Sequence, residues 1–165
     1  MPKFTNGDEY FNKLHLVFNA LIAVTLIPFV LLFLDIEKNG STAGILNSEI
    51  AIVVSVSLFV FFCAILYSTN RKFKRRILKV DKSAELRTKL EHHYSVSLKK
   101  YIGLTLCCII MVLGLFLTRY FVFSIGYVFS LIVLSIGRPA MTNLTREILL
   151  SKAEKGIMQN KETIE

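Results

Sequence analysis

Four groups of residues in this chain have side-chain types and spacings that could do chemistry. Lys72, Lys74, Arg75, Arg76 and Lys79 form a basic cluster directly after a long apolar run. Cations in that position attract anionic lipid head groups or an acidic partner, each lipid-facing charge contributing on the order of 1 kcal/mol near the surface. Fixing membrane orientation accounts for the same residues, and the two roles are compatible. Glu91-His92-His93 offers metal-ligand types, but neighbouring histidines on a helix point to different sides, so no metal is expected. His15 and Asn19 lie four apart on one helix side; an interfacial His beside a helix-packing Asn explains them without a cofactor. Cys63, Cys107 and Cys108 fall inside apolar runs and form no CxxC pair. They read as small hydrophobes, with no disulfide framework or zinc knuckle implied.

What the chain lacks narrows its chemistry further. Membrane proteins that move ions or protons keep ionisable groups inside their spans, because burying one in lipid costs several kcal/mol and is retained only for function. The four apolar runs described below contain no Asp, Glu, Lys or Arg in their interiors. Glu49 and Arg119 sit at one edge of these runs, His15 and Arg138 at the other. Haem ligation wants axial His residues, and only His15 is near a span. No nucleophile–base pair or Asp cluster is evident along the chain. Proton-coupled transport, redox catalysis and hydrolysis are therefore not expected, and neither is a cofactor.

The elements that carry these residues follow from hydropathy. The 165 residues are 53% hydrophobic and 19% charged, below the roughly 25% charge of ordinary soluble domains. Leu14–Leu34 is uncharged apart from His15, and at about 1.5 Å per residue covers the roughly 30 Å of a bilayer core. Pro28 inside it marks a kink at most. A short polar segment precedes it, with Thr5 and Asp8 spaced as a helix N-cap, and no cleavable signal is expected. Ile50–Tyr67 is the second span. Tyr101–Thr118 and Tyr120–Gly137 are the third and fourth, parted only by Arg119. A single helix over both would leave Arg119 near mid-bilayer, so a tight hairpin is expected there.

Between the second and third spans, residues 70–100 hold eleven Lys or Arg against three acidic residues, a surplus of +8 that equals the net charge of the whole chain. Phe73, Ile77 and Val80, then Leu86, Leu90 and Tyr94, recur at helical spacing. The segment reads as a two-legged basic helical hairpin, turning near Asp81–Ser83. After Arg138-Pro139, the residues Met141, Leu144, Ile148 and Leu149 share one side of an amphipathic helix suited to the membrane surface. A polar tail to Glu165 completes the segment 138–165.

The fold expected is an all-α integral membrane protein, a single membrane domain of four transmembrane helices (about 14–34, 50–67, 101–118 and 120–137). The basic hairpin and both termini lie on the cytoplasmic side by the positive-inside rule. Small-xxx-small pairs (Ala51/Ser55, Gly103/Cys107, Gly126/Ser130) offer helix-packing faces. The function expected is a non-catalytic accessory, assembly or scaffold subunit of a larger membrane complex. A small transporter or channel protomer for an apolar or weakly polar solute is the alternative, and a lipid-modifying enzyme comes third. Expected partners are anionic head groups and a protein partner or second copy, with no nucleic acid. The threading is testable: Ser41→Cys and Lys82→Cys, each in a cysteine-free background, should label from opposite sides of the membrane. Labelling of both by an impermeant reagent in intact cells contradicts it.

Overall fold

The computed structural model describes residue 4 and residues 6–40, 45–78, 85–148 and 150–159. Six helices follow in order: α1 Gly7–Asn39, α2 Ser48–Ile77, α3 Leu86–Thr118, α4 Val122–Ile136, α5 Met141–Ile148 and α6 Lys152–Gln159. No strand occurs among the described residues. α1, α2 and α3 are each long and apolar enough to cross a membrane. A fourth crossing counts only if α4 and α5, bent 73° apart, are taken together. α4 alone has 15 residues, about 22 Å, short of the roughly 30 Å hydrocarbon core. It is therefore shorter than the span expected over 120–137.

α1 begins under a cap from Asn6, whose Oδ1 accepts the Glu9 N–H at 2.9 Å. The expected Thr5/Asp8 cap is thus displaced by one position, and Thr5 lies outside the described residues. Helix α1 runs through Pro28 to Asn39, and Gly40 closes it at φ 71°, a conformation glycine reaches without a Cβ clash. α2 carries no Gly or Pro and continues from the apolar run into Lys74, Arg75 and Arg76, whose charges suit the negative end of the helix dipole. The turn expected at Asp81–Ser83 lies outside the described residues. α3 starts at Leu86, so both legs expected around the basic segment are helical.

α3 is the axis of the molecule. In its most apolar window 61% of the residues are buried, against 11% for α1 and for α2. It is apolar nearly all round, as a helix enclosed by others must be. Gly103 faces Thr69 of α2, where a Cβ would lie 2.5 Å from the threonine Oγ1. Gly114 lies against the ring of Phe123, and Gly126 of α4 against the Met111 sulfur. Two of the small-residue pairs expected to pack therefore do so, and Gly114 joins them. α1 runs parallel to α3, meeting it at Tyr10–His93 and again at Asp35–Arg119; α2 and α4 run antiparallel. Tyr127 of α4 stacks on Phe29 of α1 with ring centroids 4.0 Å apart. The outward faces carry a belt of exposed apolar residues, among them Val24, Ile27, Val53, Val56, Ile125 and Ile132. Lipid contact explains a belt of this extent, which a water-facing surface does not.

The turn between α3 and α4 forms without Gly, Asn or Pro. Arg119 takes the left-handed conformation at φ 55° and donates its N–H to the Leu115 carbonyl at 2.8 Å. Its guanidinium reaches Asp35 at 3.1 Å, which ties the ends of α1 and α3 together and offsets the strain of a positive φ.

The C-terminal segment departs from expectation. α5 is amphipathic, but Leu144 and Ile148 are buried in a core shared with Tyr10, Leu14, Leu90, Tyr101 and Leu134. Its apolar face is covered by protein rather than turned to lipid. Leu149, expected on the same face, lies outside the described residues. The expected polar tail contains α6, whose Met158 is buried against Gly7. The protein core outcompetes the bilayer for these side chains because Tyr10 and Leu14 of α1 present an apolar surface directly below α4.

The fit at Gly114 gives a test. Gly114→Val forces the Phe123 ring out of α3, and overpacking of this kind costs about 1–3 kcal/mol. Gly156→Ala, where a Cβ meets nothing within 4 Å, should be neutral or stabilise by a few tenths to about 1 kcal/mol. Unfolding in mild detergent, followed by circular dichroism, should separate the two.

Candidate functional site

The polar residues gather at the end of the bundle opposite Arg119. Lys72, Lys74, Arg75 and Arg76 are all exposed on the last two turns of α2. None makes an ion pair or side-chain hydrogen bond among the described residues, apart from ring contacts made by their neighbours. Lys79, the fifth member expected, lies outside the described residues. The helix spreads the four around its axis at about 100° per residue. Lys72 and Arg76 line a recess of about 250 Å³ with Lys99 and Lys100. Lys74 lines a separate cavity, and Arg75 lies outside both. The cluster is thus a collar around a helix end, and no single point brings all of its charges together.

The separate cavity measures about 560 Å³ and is bounded by α2, α3, α4 and α5. Leu104, Val133 and Ile136 form one part of its wall; Lys74, Lys100 and Arg146 form another. Lys100 Nζ stands 4.0 Å over the Phe73 ring and 3.8 Å from Glu147 Oε1. Asn143 closes the floor by donating to the Arg138 carbonyl at 3.0 Å, which caps the turn between α4 and α5. Lys100 belongs to the basic segment expected from the sequence, but α5 is expected there to lie along the lipid surface, which does not bring Arg146 to Lys74 and Lys100.

Beside this cavity lies a buried polar chain. His93, 4% exposed, is bonded through Nδ1 to the Tyr10 hydroxyl at 2.5 Å and through Nε2 to Glu147 Oε2 at 2.7 Å. Ser97 Oγ stands 3.3 Å from the same Nδ1. A carboxylate only accepts, so Nε2–H donates to Glu147, and the Tyr10 hydroxyl is paired with Nδ1. A hydroxyl–imidazole–carboxylate arrangement therefore exists, although no nucleophile–base pair is evident along the sequence. The void it borders measures about 10 Å³, room for one water at most. The bond from His93 to Glu147 clamps α5 onto α3. Tyr101 adds a bond from its hydroxyl to the Gly137 carbonyl at 2.9 Å.

One turn further down, Lys89, 5% exposed, donates to Glu154 Oε1 at 2.7 Å. Glu154 also forms a capping box with Ser151: its Oε2 accepts the Ser151 N–H at 2.7 Å, and Ser151 Oγ accepts the Glu154 N–H at 3.2 Å. The Ser-Lys-Ala-Glu pattern at 151–154 is a local signal for a helix start, and it marks the helix hidden in the expected tail. Burial pushes the Glu154 carboxyl up, but the hydrogen bonds from Lys89 and Ser151 outweigh it and hold the group below its usual range.

The other residues singled out from sequence are not assembled into this site. His15 and Asn19 share an exposed face of α1, away from the Leu14 and Phe18 packing face. His92 points away from the buried His93 and lines a recess with Glu91 and Lys99. Cys107 and Cys108 are packed in the core and Cys63 is exposed. No group of three or more His, Cys, Asp or Glu able to hold a metal occurs among the described residues.

No protein-family profile matches the chain, and neither does any curated protein or solved structure. The reading of this end therefore rests on its chemistry.

The Glu154 contacts predict a pH dependence. Because the folded carboxyl titrates below its ordinary 4.5, α6 docking is fully stabilised above about pH 4.5 and loses that stabilisation as pH falls through the folded value. Glu154→Gln at pH 7 should destabilise by about 1.5–3 kcal/mol, the range for hydrogen bonds to charged groups. The deficit should shrink on acidification towards pH 3. Amide hydrogen exchange of α6 in native and variant protein checks both.

Proposed function

We propose that this protein is a small non-catalytic multi-pass membrane subunit whose basic end meets anionic head groups or an acidic partner. The observation that carries this reading is the division of charge at that end. Three acidic residues there are paired within the protein: Glu147 with His93, Glu154 with Lys89, and Glu91 with Arg87. The collar of Lys72, Lys74, Arg75 and Arg76 is left exposed and uncompensated by side chains among the described residues. Such a collar at the end of an apolar helix is where negative lipid surfaces act most strongly. A partner carrying acidic residues is served by the same collar.

The threading that goes with this reading has four crossings, with both termini and the basic hairpin on the cytoplasmic side. Its support is twofold. α4 and its flanking residues return alongside α3 from Phe123 opposite Gly114 to Gly137 opposite Tyr101, so they cover the height of the third apolar run. The cations also concentrate at the end that would lie inside. A tilted or locally thinned bilayer accommodates the short α4 at modest cost.

Reconstituted full-length protein tests the reading. Spin-labelled phosphatidylglycerol should be enriched over phosphatidylcholine at the protein boundary, and salt should reduce the enrichment. Replacing Lys72, Lys74, Arg75 and Arg76 by Gln should remove most of it, at about fivefold per engaged charge. Equal enrichment for native and Gln protein would leave the collar without a lipid role. Co-purification in mild detergent then reports whether a stoichiometric acidic protein partner occupies it instead.

A further inference from the structure

We propose that the cavity bounded by α2, α3, α4 and α5 is a binding site for one anionic phospholipid, its phosphate held by Lys74, Lys100 and Arg146. This rests on the membrane reading above but concerns a single cavity between helices rather than the surface collar. Its volume of about 560 Å³ falls in the range of ligand sites, roughly 300–1,000 Å³.

The wall changes character along its length in the way a lipid does. Leu104 lies one turn above Lys100 on α3, and Val133 one turn above Gly137 on α4. These positions rise into the apolar part of the bundle, where a chain would lie. Lys74, Lys100 and Arg146 come from three different helices and line the part towards the basic end. Ile136, at the rim, is 74% exposed, so the cavity is reached from the lipid side without crossing the bundle.

Charge complementarity selects the occupant. Three cations face one carboxylate, Glu147, and that carboxylate is already occupied by the His93 N–H at 2.7 Å, with Lys100 at 3.8 Å. Arg146 and Lys74 have no acidic partner among the described residues. A phosphate diester supplies the missing negative charge together with acceptors for a guanidinium fork. A zwitterionic head group would bring a quaternary ammonium against Lys74 and Arg146, and like charges there are unfavourable. An acidic peptide would satisfy the cations but would leave the Leu104 and Val133 wall uncovered.

The site depends on α5 being clamped. Arg146 reaches the cavity because Glu147, its neighbour, is bonded to His93, and Leu144 and Ile148 are buried. The buried chain from Tyr10 to Glu147 is therefore a positioning element for the cavity floor.

Binding of phosphatidylglycerol to delipidated full-length protein, followed by native mass spectrometry, is the test. Native protein should retain one phosphatidylglycerol per chain in preference to phosphatidylcholine. Arg146→Gln should weaken it about fivefold, and Arg146→Lys should restore it. Val133→Phe, which fills the apolar wall without changing charge, should weaken it comparably while thermal unfolding shows the fold retained. Lys38→Gln, in the last turn of α1 at the opposite end of the bundle, should have little effect. Equal losses for Arg75→Gln and Arg146→Gln would place binding on the collar and overturn the cavity site while leaving the proposed function standing. Displacement by millimolar inorganic phosphate would also overturn it, since the ligand would then be a soluble anion. An absence of any anionic preference would overturn the cavity site and leave the collar to an acidic protein partner.

Discussion

The close approach of three helices to α3 is the constraint on which the rest of the structure depends. A helix enclosed on several sides in a lipid-facing bundle gains little from excluding water, so it must gain from contact. Gly103 and Gly114 on α3, and Gly126 on α4, remove side chains where Thr69, Phe123 and Met111 press in. With those approaches secured, α1 and α2 can turn most of their apolar surface outward. The bundle also becomes tight enough to exclude solvent from its interior, which leaves its two ends as the places where polar chemistry can occur.

Those ends are built differently. At one, a single bridge from Arg119 to Asp35 ties α1 and α3 where the chain reverses. At the other, the helices outrun the bilayer: α1 at 33 residues is about 50 Å long, and α3 has the same length. The surplus length carries a small folded region with its core around Tyr10, Leu90, Leu144 and Met158. Buried polar groups there must be satisfied internally. Lys89, His93 and Ser97 recur every four residues on α3, and each finds its partner on α1, α5, α6 or its own helix.

That internal satisfaction shapes the proposed function. With Glu147 and Glu154 committed to His93 and Lys89, and Glu91 to Arg87, the collar cations and Arg146 have no acidic partner among the described residues. The excess positive charge then faces outward as a collar and inward as the lining of the cavity. The same clamp that consumes Glu147 holds Arg146 at that lining, so the buried chain and the proposed lipid site are mechanically one unit. The hydroxyl–imidazole–carboxylate arrangement has the parts of a reactive site. The void beside it measures about 10 Å³, and its bonds brace α5 and α1 against α3.

Much of the helical framework is determined by the sequence alone, for a simple reason. Uncharged runs of about 18–21 residues must satisfy their backbone polar groups internally in lipid, and helices do that locally. The reversal at Arg119 follows from the cost of leaving a guanidinium in mid-bilayer, with no turn residue needed. The capping box at Ser151–Glu154 is equally local, and the helix it starts is legible in those four residues. What only the tertiary structure decided is which of several similar helices lies at the centre, and which charges are free. α3 is not more apolar than α1 or α2; its small residues simply meet large ones from elsewhere in the chain. His93 and Glu147 are 54 positions apart and Tyr10 is 83 from His93, distances across which no periodicity carries information. Lys100 meets Lys74 through the packing of α3 on α2, and Arg146 joins them only because α5 prefers the protein core to the lipid surface, a competition between two apolar environments that residue types alone do not resolve.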